Sequence, residues 1–246
     1  MKKHFLSVAF ALLGPLSIFA QNTRVTANST HTWYMLNGLT KIKGNFSFFH
    51  DVQFRRSDLL SKKQQLLLRG GLAYDFNDKI QGMAGYAYVS TAPYGDYPVK
   101  NTFDEHRAFE QIQVKQSLGK VNLFQRYRLE QRWIGSAALG LFNAPRFENR
   151  VRFMARLNFP LWTTSKIGLY ANIYDEIFIN FGEKVAYNIF DQNRWGANVG
   201  IKFSKNVSLE LGYLLQTLQQ RNLLTPTNQS VFEQNNTLTT ALTTKF

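Results

Sequence analysis

The chain has 246 residues, no cysteine, and 29 lysines and arginines against 16 aspartates and glutamates, a formal net charge of +13. The lack of cysteine excludes a disulfide framework and a lipidated cysteine. After Ala20 no segment approaches the ~18 consecutive apolar residues that a transmembrane helix needs.

Residues 1–20 read as a secretory signal peptide that is removed. Met1-Lys2-Lys3-His4 is basic, Phe5 to Ala20 carries no charge, and Ala20 supplies a small residue at the cut. Gly14-Pro15 interrupts the apolar run too early for a membrane anchor. The mature chain, 21–246, is long enough for one domain and contains no visible linker. An exported chain with a basic balance points away from nucleic acid and towards outer-membrane lipids or small anionic solutes.

The organising signal of the mature chain is a period of two. Residues 28–37 have strand composition. From 41 to 55 the odd positions include Lys41, Lys43, Asp51, Gln53 and Arg55, while the even positions include Ile42, Phe46, Phe48, His50 and Phe54. Such alternation is a strand with unlike faces. The stretches 65–76, 80–90, 105–118 and 166–180 alternate less cleanly. In 125–133, Arg126, Arg128, Glu130 and Arg132 oppose Tyr127, Leu129 and Trp133. In 146–159, Glu148, Arg150, Arg152 and Arg156 oppose Phe147, Val151, Phe153 and Phe159. Arg194, Asn198 and Lys202 oppose Trp195, Val199 and Ile201, and Ser208, Glu210 and Gln216 oppose Leu209, Leu211 and Tyr213. No helical stripe is present, so the chain is all-β.

The connections alternate in length. Asn77-Asp78-Lys79, Gly119-Lys120 and Ser204-Lys205-Asn206 are tight turns. Longer loops are expected at 56–62, 91–104, 135–145, 182–191 and 221–232. Short turns at one end and longer loops at the other describe an outer-membrane β-barrel with periplasmic turns and extracellular loops. Ten strands follow from 41 to 246. Counting 28–37 as an eleventh would put the N-terminus at the loop end, so ten and twelve both stay open and the role of 28–37 is unassigned. A soluble barrel around an apolar ligand also alternates, but its strands are shorter than these. Trp33, Tyr34, Trp133, Trp162 and Trp195 are expected at strand ends as membrane-interface aromatics. The final strand, closing on Phe246 with Leu238 and Leu242 in register, has the form read by the outer-membrane assembly machinery. The expected fold is therefore a single antiparallel transmembrane β-barrel of about 10–12 strands.

Several short motifs occur in a fixed order: Arg69-Gly70-Gly71-Leu72-Ala73-Tyr74, Gly85-Tyr86-Ala87-Tyr88, Asp104-Glu105-His106-Arg107, Arg126 to Arg132, Arg150-Val151-Arg152 and Gln192-Asn193-Arg194. Together they resemble the family known as domain of unknown function 2490, regarded as outer-membrane β-barrels of Gram-negative bacteria. The resemblance covers nearly the whole mature chain and implies fold and location. It carries no activity, substrate or site.

The candidate chemistry lies in the charged face. Glu105, Arg107, Arg126, Arg128, Glu130, Arg132, Glu148, Arg150, Arg152 and Arg194 are expected to line the lumen. They form either a basic, porin-like constriction that attracts anions or a structural ladder that fills and stiffens the barrel. The ladder is the simpler reading, because Glu105, Glu110, Glu130 and Glu148 are available to neutralise the arginines. His106, in Glu105-His106-Arg107, invites a general-base role in a lipid-modifying enzyme. No nucleophile motif accompanies it, so no catalytic residue is assigned. No ligand-spaced cluster points to a metal, and no cofactor is implied. A structural or small-solute role leads, with an enzyme or a surface scaffold acting through the loops as alternatives.

Overall fold

The computed structural model describes residues 24–135, 145–164 and 167–246; the expected signal peptide lies outside the described residues. Eleven strands follow one another: β1 (Arg24–Lys43), β2 (Phe46–Ser57), β3 (Lys62–Asp75), β4 (Ile80–Thr91), β5 (Phe103–Leu118), β6 (Val121–Ile134), β7 (Arg146–Thr163), β8 (Gly168–Phe181), β9 (Phe190–Lys202), β10 (Val207–Leu224) and β11 (Gln229–Lys245). Each pairs antiparallel with its sequence neighbour, and the sheet closes where β1 meets β11 in parallel. An odd strand count forces this, because after ten reversals the last strand runs in the direction of the first. The even count usual for bacterial barrels would have made the last pair antiparallel. The seam is long, running from Arg24↔Ser230 to Leu39↔Lys245. It continues through Phe246 N–H donating to Leu39 C=O at 2.9 Å and Lys41 N–H donating to Phe246 C=O at 2.5 Å.

Two expectations change here. Residues 28–37 and 41–43 belong to one strand, β1, and 41–55 is broken by a turn at Gly44, whose φ of 56° a residue with a Cβ adopts at a cost. Alternation could not reveal the turn. A register shift between Lys41 and Lys43 keeps odd residues facing inward on both strands, so the pattern runs through unbroken. The loops at 56–62 and 221–232 also contract to short connections, because β2 runs to Ser57, β10 to Leu224 and β11 starts at Gln229. At the other end the tight turns carry side-chain closures. Asn77 Oδ1 accepts from the backbone N–H groups of Lys79 and Ile80, at 2.8 and 2.9 Å, and Ser204 Oγ accepts from those of Asn206 and Val207, at 3.1 and 3.2 Å. These are the local bonds for which Asn and Ser are favoured in turns.

The loop end is uneven. Residues 24–30 of β1 have no pairing with β2, and residues beyond Leu218 in β10 have none with β9, while both continue along β11. A three-stranded extension therefore rises past the rest of the rim. The connection between β4 and β5 folds in beneath it. Tyr94 packs edge-on against His31, 5.4 Å between ring centroids, and Tyr97 C=O accepts from Gln220 Nε2 at 2.8 Å. Burial beside Glu233 pushes the Tyr94 phenol far above its ordinary pKa, so it stays neutral.

The two faces of the sheet are sorted inside out. Buried positions include Asp51, Arg55, Glu105, Arg128, Glu130, Arg150 and Glu176, whereas Phe48, Phe54, Leu72, Tyr127, Val151, Ile173 and Leu211 point outward and are exposed. A small apolar cluster inside the barrel joins Ala73, Met83 and Phe109 with Leu39 and Phe49, on the β1–β5 side. There Gly71 faces Gly85 across β3 and β4, and Phe109 lies over them. A Cβ on Gly85 would stand 2.8 Å from both the Gly71 Cα and Phe109 Cζ, and closer still to the Gly70 carbonyl. Backbone cannot yield as a side-chain tip can, so Gly85→Ala should destabilise the barrel by about 1–3 kcal/mol. A lowered urea midpoint for the unfolding of detergent-folded protein checks this, and an unchanged midpoint would mean that the two strands separate freely.

Candidate functional site

The charged residues enter the interior in register. On β6, Arg126, Arg128, Glu130 and Arg132 face inward; β5 sets Glu105 and Arg107 beside them and β7 sets Glu148, Arg150 and Arg152 on the other side. The pairing Arg107↔Arg132 places two cations side by side, and Glu105 relieves them by accepting from Arg107 Nε at 2.6 Å and Arg132 Nε at 2.5 Å. Arg128↔Arg152 and Glu130↔Arg150 are further cross-strand pairs. Glu130 accepts from Arg150 Nη2 at 2.5 Å and Arg152 Nη1 at 2.7 Å. Glu148 takes Arg146 at 2.6 Å and Arg221 at 3.1 Å. Charge-assisted bonds of this length are the stronger kind of hydrogen bond, and those of Arg132 to Glu105 and of Arg150 and Arg152 to Glu130 join adjacent strands.

Two of the neutralising acids, Glu176 and Asp191, did not stand out in the sequence, whereas Glu210 lies on the charged face that alternation identified. Glu176 on β8 holds Arg126 at 2.7 Å and Arg152 at 2.8 Å, Asp191 on β9 holds Arg150 at 2.8 Å, and Glu210 on β10 holds Arg156 at 2.5 Å. Glu176 is masked by its neighbour Asp175, which faces outward and accepts from Asn193 Nδ2 at 2.6 Å, so the two acids blur the alternation. Asp191 and Gln192 are both buried because the β8–β9 register shifts between Phe178 and Ile179, placing consecutive residues inside. Conversely, Glu110, expected to neutralise lumenal charge, faces outward and accepts from Gln131 at 3.1 Å. Its even position on β5 is opposite in parity to Glu105 and Arg107.

The aromatics divide. Trp133 is exposed near the loop end of β6 and packs on Phe147 at 5.4 Å, Trp162 is exposed near the turn end of β7, and Phe246 is exposed at the C-terminus. Trp195 also faces outward but sits mid-strand on β9. Trp33 is the correction. It is 2% exposed and lies inside the barrel, where its indole N–H donates to Gln64 Oε1 at 2.9 Å and the Arg55 guanidinium stands 3.8 Å above its ring. Residues 28–37 mix apolar and polar groups at both parities, so only pairing with Arg55 assigns Trp33 its side. His106 faces outward, with Tyr86 Oη against its Nδ1 and the Tyr88 ring 5.5 Å away.

Between the ion-pair network and the β1–β3 wall lies a cavity of about 970 Å³, lined at one end by Thr243, Thr244 and Lys245 and at the other by Tyr97, Lys100 and Asn222. Twelve arginines line it against six carboxylates. Arg55, Arg128 and Arg194 are held differently from the rest: their firmest partners are the neutral amides Gln53 and Gln65, Gln111, and Gln192. Among the described residues no group of three or more His, Asp or Glu side chains could hold a metal ion.

These features define a class: a closed eleven-stranded β-barrel with an arginine-rich, ion-paired interior. The family described as Protein of unknown function (DUF2490) matches residues 30–225, and the chain belongs to that family. It is also similar to an uncharacterized protein of Methylorubrum extorquens, with 26% identity over 214 residues that cover 84% of this chain and 87% of that protein. No solved structure matches it.

The network makes its own prediction. Glu130 is 1% exposed and balances two buried arginines. Removing one partner leaves the others as uncompensated buried charge, so Glu130→Ala should cost about 3–5 kcal/mol. The check is the temperature at which the folded band converts to the unfolded band in gel migration. A variant that converts at the wild-type temperature would show that water in the cavity compensates the two arginines.

Proposed function

We propose that this chain is an integral outer-membrane β-barrel whose interior binds and passes small anionic solutes. The observation that carries the reading is the cavity itself, which is lined from both ends of the barrel and bears an excess of guanidinium over carboxylate groups. Rings and clusters of arginine select anions in pores by exchanging their hydration for fixed donors.

The membrane part of the proposal rests on the outward face. A water-soluble barrel exposing Phe48, Phe54, Leu68, Leu72, Ile112, Val151, Phe153, Val199 and Leu211 in one continuous surface would aggregate. In hydrocarbon that surface is favourable, and the closed ladder leaves no unpaired backbone edge within the sheet. No helix among the described residues is long and apolar enough to cross a membrane. Exposed lysines at the turn end, among them Lys43, Lys79, Lys120, Lys202 and Lys205, stand beside exposed Phe76, Trp162 and Phe203, a composition that suits a headgroup layer. The interior ion pairs then serve as scaffold, holding the arginines at the cavity wall while stiffening the barrel.

Two measurements test this together. The protein should fractionate with the outer membrane and migrate heat-modifiably, and its recovery in the soluble periplasm would end the proposal. Reconstituted in planar bilayers under a salt gradient, it should conduct with a reversal potential on the anion side. Arg128→Gln, which removes a guanidinium held chiefly by Gln111, should move that potential towards zero. Silent bilayers together with solute-tight liposomes would reduce the role to a structural one.

A further inference from the structure

Two interior arginines share one aromatic ring and lack a direct counter-ion. The Arg55 guanidinium carbon is 3.8 Å from the centre of the Trp33 ring and that of Arg194 is 5.0 Å from it, with Phe178 4.8 Å from Arg194 on another side. Neither forms an ion pair among the described residues, although ten other interior arginines that line the same cavity do. Two like charges gathered on one ring would repel, and the fold brings them together nonetheless.

Both are held by the same device. Arg55 donates through Nε and Nη2 to Gln53 Oε1 and through Nη1 to Gln65 Oε1 at 2.6 Å, and Gln53 Nε2 in turn donates to Asp51 at 3.0 Å. Arg194 donates through Nε to Gln192 Oε1 at 3.0 Å, and Gln192 Nε2 donates to Asp191 at 2.9 Å. Each amide is thus a spacer that orients the guanidinium while keeping the carboxylate away from it. The acids beyond are already engaged, Asp51 by Arg69 at 3.3 Å and Asp191 by Arg150 at 2.8 Å. Glu176, the carboxylate whose field reaches Arg194, accepts from Arg126 and Arg152. Gln216 Nε2 also donates to Gln192 Oε1, which fixes the spacer further. The terminal nitrogens of Arg194 meet no acceptor among the described residues, and both arginines line the cavity.

A guanidinium fixed at Nε with its terminal N–H groups unused presents the forked donor pattern that matches a carboxylate or a phosphate. We infer that Arg194 and Arg55, mounted on Trp33, form a binding site for a small oxyanion, a solute bearing a carboxylate or phosphate group. The inference rests on the proposed access of solutes to the interior and adds to it a defined station. Arg194 supplies the bidentate contact, Arg55 the second charge, and Trp33 the surface that keeps the two guanidinium planes close. Gln53 and Gln192 are positioning residues.

Titration calorimetry on the detergent-folded full chain tests it, with inorganic phosphate and acetate as probes and chloride as the reference anion. Wild type should show saturable binding of phosphate or acetate over chloride. Arg194→Gln and Arg55→Gln should each weaken it by at least about tenfold, whereas Arg24→Gln, at the rim, should leave it unchanged. No saturable binding by wild type overturns the site, and so does an equal loss in Arg24→Gln, which would mean a diffuse charge effect. If Arg194→Gln does not fold, Arg194→Lys decides: it keeps the charge but loses the fork, and undiminished binding would refute the bidentate contact. Conductance measured in parallel separates the two readings. Silent bilayers with intact binding sink passage and leave the site, while anion-selective conductance without binding sinks the site alone.

Discussion

The parallel junction of β1 and β11 is the constraint on which the rest of the structure depends. A sheet of eleven strands cannot close antiparallel, and an unclosed one would leave two rows of backbone donors and acceptors without partners. Closing in parallel satisfies them along nearly the whole length of β11 and sets Arg24 and Phe246 at opposite ends of the barrel. That choice also decides the interior. Pairing β1 with β2 and β11 together brings Trp33 inside, between Arg55 on one neighbour and Thr239 on the other. It also raises the β10–β11–β1 extension under which the Tyr94 loop packs.

Inside, burial and charge set opposing demands. A guanidinium removed from water costs several kcal/mol unless a carboxylate and further hydrogen bonds meet it. The barrel meets that cost on the β5–β9 side by alternating Arg and Glu across strands, so that Glu105, Glu130 and Glu176 each serve two arginines. Aromatic faces provide a second kind of support: Phe109 under Arg128 and Phe178 under Arg152 and Arg194. The amide-held arginines differ from the paired ones in meeting neutral amides first, and Arg194 keeps its terminal nitrogens free of any acceptor among the described residues. Geometry alone separates these two populations, because both are arginines at inward positions of amphipathic strands.

Much of the fold was legible because its signal is local. Arg126 to Arg132 against Tyr127 to Trp133 fixes a strand and its two faces through a periodicity that neighbouring residues carry by themselves. The turns at Asn77, Gly119 and Ser204 were legible for the same reason, since their side chains or φ angles act within a few residues. What failed were features set by partners. The count of strands depends on which strand meets β1. The break at Gly44 is hidden by a bulge that preserves parity. The side of Trp33 depends on register with Arg55, and the burial of both Asp191 and Gln192 depends on a shift in β8.

The sequence by itself therefore determined that this is an all-β chain of long amphipathic strands, joined by tight turns at one end, with a charged face rich in arginine. It also determined which arginines on β6 and β7 share that face. Only the tertiary structure decided that there are eleven strands closed in parallel, that Glu176, Asp191 and Glu210 replace Glu110 as counter-ions, and that Arg55 and Arg194 meet on Trp33. The physical reason is one of range. Alternation is written along a single strand, whereas closure, register and the partner of a buried charge are properties of strands that lie far apart in the chain and meet only when the barrel forms.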